Sequence, residues 1–156
     1  MKEEKYDSTK DTKEHIALVA KSLSQAAIEL LERGLRHDDS KLKSPEKELF
    51  DKWTPILKAL EYGSEEYKDS LENLKVALNH HYENNSHHPE YYEDGIDGMD
   101  LFDVVEMFFD WCAATKRNKD GNIYKSLDIN KDRFKMSDQL YNIMKNTADR
   151  YVKKQQ

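Results

Sequence analysis

Cysteine is all but missing: Cys112 stands alone in 156 residues. One thiol excludes an internal disulfide and a cysteine-built zinc site within one chain, so any metal must be held by histidine and carboxylate. Glycine and proline are scarce, at five and three, and no alternating β-branched run bounded by turns occurs, which argues against a β fold. No apolar run exceeds a few residues, excluding a membrane span, and the opening MKEEKYDSTKDTKEH is too charged for a secretory signal. The balance of 25 Lys+Arg against 31 Asp+Glu leaves a formal charge of −6. With no basic run to offset it, that charge speaks against coating nucleic acid. Together these readings predict a cytoplasmic protein. The length fits one core and excludes two full-sized domains.

What is present is helical periodicity. Charged residues reach 36% while aromatics hold at 10%, which argues for a folded, well-solvated chain. Apolar residues recur at three- and four-residue spacings almost throughout, predicting an all-α, compact single-domain helical bundle over 11–154 behind a flexible tail over 1–10. A first helix is expected from Asp11 to Arg33, burying Ile16, Val19, Leu23, Ala26, Ala27, Leu30 and Leu31 and stopped by Gly34. Ser44-Pro45 should start a second, which Thr54-Pro55 interrupts and restarts, with Trp53, Ile56, Leu57 and Leu60 inward. Gly63 and Ser64 punctuate before a helix over Glu65–Tyr82, whose Leu71, Leu74, Leu78 and His81 share a face. Asp100 can cap a helix over Leu101–Lys116 with Leu101, Val104, Val105, Phe108 and Trp111 or Cys112 buried. A turn over Asn118–Asn122 and helices over Tyr124–Arg133 and Ser137–Lys153 follow, the last with Leu140, Ile143, Met144, Thr147 and Tyr151 inward.

Histidine is the conspicuous chemistry. Four of the six, His80, His81, His87 and His88, fall within nine residues, at the end of one helix and in the loop Glu83–Gly98. That loop is long for a small helical domain, a length often tied to function. His37-Asp38 stands near the end of the first helix and Asp110 on an otherwise apolar helix face, where a carboxylate is costly unless paired or bound to metal. Helical bundles build metal sites by such convergence from several helices. His81 continues the apolar stripe and ranks above His80; His88 ranks above His87. Asp103 and Glu106 read as supporting or surface groups. Asp128, Asn130 and Asp132 imitate a calcium loop, but Arg133 occupies the position that demands glycine and Gln139 the position of its final Glu.

The run His37-Asp38-Asp39-Ser40-Lys41 resembles the signature of the HD-domain metal-dependent phosphohydrolases, and His80-His81 followed by Asp110 is similar to the spacing in their HD-GYP branch. Tyr82 and His87-His88-Pro89 depart from that branch, so its cyclic dinucleotide substrates are not implied. Over Thr12–Tyr151 the chain also resembles a small bacterial and phage family carried as a domain of unknown function, through its TxxHI, HDxSK, HHxxNxxHHPE and EMxxDW blocks. The HD resemblance implies an HD-like fold and a metal set drawn from His15, His37, Asp38, His80, His81, His88 and Asp110. His15 reaches such a site only if the first helix breaks near Ser22–Ser24, since eighteen residues of straight helix to Arg33 span roughly 27 Å.

The resemblance further implies hydrolysis of a small phosphorylated molecule, with a nucleotide the leading class. Asp38, Lys41 and Asp110 would carry it, Lys41 steadying phosphate and Asp39 or Glu83 orienting water. One divalent ion, or two, is expected from among Mn, Fe, Co, Ni and Zn, which suit imidazole-rich shells better than calcium does. The alternative is a non-catalytic helical binding protein, with a phage genome one source open to it, that keeps the histidines as a structural clip.

Overall fold

The computed structural model describes residues 6–60, 64–117 and 121–153. Gly63, most of the Asn118–Asn122 turn and the first half of the expected tail lie outside them. The described residues form six α-helices and no strand: α1 Thr9–Arg36, α2 Glu46–Ala59, α3 Glu65–Asn84, α4 Leu101–Thr115, α5 Ile123–Arg133 and α6 Asp138–Lys153. Short 3₁₀ turns lie at Asp39–Leu42, Pro89–Tyr91 and Gly95–Gly98. The protein is all-α. It divides into two compact units at His37/Asp38, whereas the sequence offers a boundary only at residue 10.

The first unit is α1, 28 residues without a break. Gly34 does not stop it; nothing lies within 4 Å of the position a Cβ would take there. Nor does it break at Ser22–Ser24, where each hydroxyl bonds back to a carbonyl four residues earlier within the continuous helix, Ser22 Oγ to Leu18 O at 3.1 Å and Ser24 Oγ to Ala20 O at 2.9 Å. None of its residues is buried, and Ile16 and Leu23 are 60% and 65% exposed. The expected core stripe is therefore not a core: a lone helix has no second element of its own to pack against.

In the second unit α2 packs along α3, and α4, α5 and α6 pack in succession. The helix α2 runs through Pro55 rather than restarting there, forgoing one backbone bond. Its N-cap is Pro45, not Ser44, and no side chain caps it. Among the described side chains of α3 the buried ones are Ser70, Leu74, Ala77 and His81, so the inward seam is turned slightly from the expected Leu71-Leu74-Leu78-His81 line and Leu71 is left exposed. Asp100 does cap α4, in a capping box with Asp103. Met107, Phe108 and Cys112 of α4 join Ile123, Leu127, Met136, Met144 and Ala148 in the main core. Leu101 and Ile143, expected inward, are exposed; residues one or a few positions along each helix take the inner face instead.

Candidate metal centre

Asp38 opens the second unit in the left-handed region, φ 61°, a conformation Asp tolerates better than most residues. The following 3₁₀ turn brings Lys41 back onto it, with Lys41 Nζ donating to Asp38 Oδ2 at 2.6 Å. The last turn of α3 supplies His80 and His81, the loop after it His87 and His88, the first turn of α2 Glu46, and α4 both Glu106 and Asp110.

Asp38, His81, His87 and His88 each bring one ligand atom to a common place, all within 4.8 Å of one another. His81 Nε2 lies 2.9 Å from His88 Nε2 and 3.2 Å from Asp38 Oδ1, and His87 Nε2 lies 3.5 Å from the same oxygen. Donors arranged tetrahedrally at about 2.0–2.1 Å from an ion stand roughly 3.4 Å apart, close to these three separations. His81 and His87 are buried and His88 is half-buried.

The far sides of two rings are held by carboxylates. His81 Nδ1 faces Glu46 Oε2 at 2.9 Å and His87 Nδ1 faces Glu106 Oε1 at 3.2 Å. A carboxylate only accepts, so a hydrogen on His81 Nδ1 satisfies this contact and leaves Nε2 facing Asp38 and His88. With the hydrogen on Nδ1, His81 Nε2 and Asp38 Oδ1 are two acceptors 3.2 Å apart, a repulsion that a cation between them would relieve. Burial alone would raise the Asp38 carboxyl, but the neighbouring His81 and His87 rings and the Lys41 ammonium hold it well below the usual carboxylate range. Burial, aided by His87 and His81, pushes His88 down to about 3, against the pull of Asp110 and Asp38. Near neutral pH the site thus offers an ionised carboxylate and an unprotonated His88, the states a metal requires.

The sequence-derived candidates divide accordingly. Asp38, His81 and His88 converge, and so does His87, which had ranked below His88. Asp110 places a carboxylate oxygen within 4.8 Å of a His87 ring nitrogen. His80 is turned elsewhere: its Nδ1 meets Glu46 Oε1 at 2.7 Å. Lys41 is engaged with Asp38, where the resemblance had given it a phosphate. His37 is the C-cap of α1 and closes the first unit. His15 requires correction, because unbroken α1 sets it 22 residues and roughly 33 Å along the axis from His37. Asp103 is a buried anchor rather than a surface group, accepting from Ser86 Oγ at 2.6 Å and Tyr92 OH at 2.5 Å. Sequence reasoning missed Glu46 altogether; one Glu in a charged helical turn carries no mark of the two rings that will meet it.

An all-α chain with a His/Asp cluster able to hold a metal ion is the class that fold and site define. A model of a family of unknown function, DUF5662, matches residues 4–150, and the chain belongs to that family. No curated protein and no solved structure matches it. Among the described residues no helix is long and apolar enough to cross a membrane.

Proposed function

We propose that the protein is a divalent-metal-dependent phosphohydrolase of the HD type, acting in the cytoplasm on a small phosphorylated molecule, with a nucleotide the leading class. The observation that carries this reading is the convergence of Asp38 Oδ1 with the Nε2 atoms of His81, His87 and His88. The HDDSK run that contributes Asp38 supports the HD type. A bound cation of the Mn, Fe, Co, Ni or Zn group would activate water and draw charge from phosphoryl oxygens. Asp38 and the three imidazoles would hold it, Lys41 would keep Asp38 ionised and oriented, and Asp110 would stand beside His87 to accept a proton or extend the ligand set. The buried Cys112 thiol, pushed up to about 11 by burial, suits a reducing compartment and takes no part.

A second reading is favoured by one feature of the same site. Asp38 and the three histidines offer four protein donors, enough to complete a four-coordinate shell, which would suit a structural ion; a catalytic ion keeps a position for water. Metal analysis of the purified protein, followed by a screen of nucleotides and generic phosphoesters with added Mn, separates the two. Turnover in the wild type that disappears in Asp38→Ala supports the hydrolase. Stoichiometric tight metal with no turnover across the panel supports the clip.

A further inference from the structure

Glu46 is fully buried, 0% exposed, a costly place for a carboxylate unless its oxygens are occupied. Both are. Oε1 faces His80 Nδ1 at 2.7 Å, and Oε2 faces His81 Nδ1 at 2.9 Å and Ser40 Oγ at 3.0 Å. The neighbouring donors can be assigned completely. Asn85 Nδ2 has two hydrogens, which go to His81 O at 2.7 Å and Ser40 Oγ at 2.8 Å. The Ser40 hydroxyl then donates to Glu46 Oε2, which leaves the 3.0 Å approaches of Ser40 Oγ and Asn85 Nδ2 to His81 Nδ1 without a shared hydrogen. No donor is left over that would let His81 Nδ1 act as an acceptor. At His87 the same pattern recurs, with Glu106 on Nδ1 and Nε2 turned to Asp38.

We propose that Glu46, and Glu106 on the other ring, are positioning residues that fix the Nδ1–H tautomer of His81 and His87, so that both present Nε2 to the metal. This rests on the metal-centre reading above. It also gives His80 a role other than ligand: it occupies the second oxygen of Glu46 and so holds that carboxylate against His81. Carboxylate partners of this kind fix ring orientation and raise ligand basicity, and their loss typically weakens metal binding about 10- to 100-fold. Glu46 accepts at the shorter distance and is the more deeply buried of the pair, so it should matter more than Glu106.

The test uses full-length protein. Long-range ¹H–¹⁵N spectra of the metal-free form report the tautomer of each ring, competition with a chromophoric chelator reports zinc affinity, and the visible spectrum with cobalt reports ligand geometry. The expected result is Nδ1–H on His81 and His87 in the wild type. Zinc affinity should fall roughly 10- to 100-fold in Glu46→Gln, by less in Glu106→Gln and least in His80→Ala, with an altered cobalt spectrum in Glu46→Gln. Zinc uptake by a wild type whose His81 is protonated on Nε2 overturns the proposal and leaves the metal reading intact. Wild-type affinity in Glu46→Gln also overturns it, as does a cobalt spectrum of His80→Ala that shows one nitrogen ligand fewer, which would make His80 a ligand. If Glu46→Gln does not fold, the wild-type tautomers and the Glu106→Gln affinity decide. No zinc uptake by a wild type with both rings Nδ1–H ends the metal reading while the ring assignment stands.

Discussion

Asp103 ties both flanks of the His87-His88 pair to α4, since Ser86 immediately precedes the pair and Tyr92 follows it within one short turn. Its Oδ2 also accepts from the Asp100 backbone at 3.1 Å. Replacing it with Ala removes hydrogen bonds to a charged acceptor that are worth about 1.5–3 kcal/mol net for a typical bond and do not simply add. Asp103→Ala is expected to lose roughly 2–4 kcal/mol in urea unfolding and to bind zinc more weakly, because the two loop histidines lose their anchorage. Unchanged zinc affinity would show that the loop holds its shape without Asp103. His88 supplies a pH signature. Its folded value of about 3 lies below the ordinary His value of about 6.5, so between those limits the unfolded chain binds a proton that the folded ring refuses. In metal-free protein this contribution is complete above about pH 6.5 and is lost as pH falls toward 3, at no more than about 1.4 kcal/mol per unit and less for a half-buried ring. Asp38 is also depressed, but its contribution fades only below about pH 4. Urea unfolding in chelator between pH 6.5 and 4.5 should therefore show a flatter slope in His88→Gln than in the wild type.

At the scale of elements, α1 and α3 show where helical periodicity informs and where it misleads. The existence of both helices follows from spacing alone, and their ends fall within a few residues of the expected ones. What periodicity does not fix is the partner. In α1 a broad apolar arc that includes Leu18, Val19, Ile28, Leu31 and Leu35 remains exposed. In α3 the inward seam includes Ser70 and Ala77, small residues on the helix that packs along α2, while Leu71 is exposed and Leu78 half-buried. Gly34 reads as a terminator yet sits inside α1 with open space around it. Gly34→Ala should consequently stabilise the helix by about 0.5–1 kcal/mol, since Ala loses less backbone entropy there. Thermal unfolding followed by circular dichroism reads this; a lower midpoint would mean that the position needs more room than α1 displays.

For the molecule as a whole, stability is concentrated in the second unit. Leu127 is 0% exposed within the core of α4, α5 and α6, and Leu35 on α1 is 83% exposed. Leu127→Ala is expected to cost about 2–5 kcal/mol and Leu35→Ala no more than about 0.5 kcal/mol, by denaturant unfolding of each variant. Comparable losses at the two sites would mean that α1 is covered in solution.

The all-α class, the absence of cysteine ligands and the candidate pool of His and Asp were legible in the sequence, because composition and period are local properties that a helix preserves on folding. Asp38, His81 and His88 could be named from their spacing. Tertiary structure alone decided that His87 joins them, that His80 turns to Glu46, and that Glu46 and Glu106 stand behind the rings. Those outcomes depend on which face of α3 meets α2 and on how the loop lies against α4. A rotation of 100° separates neighbouring residues on a helix, and only packing against other helices sets which of two adjacent histidines points inward.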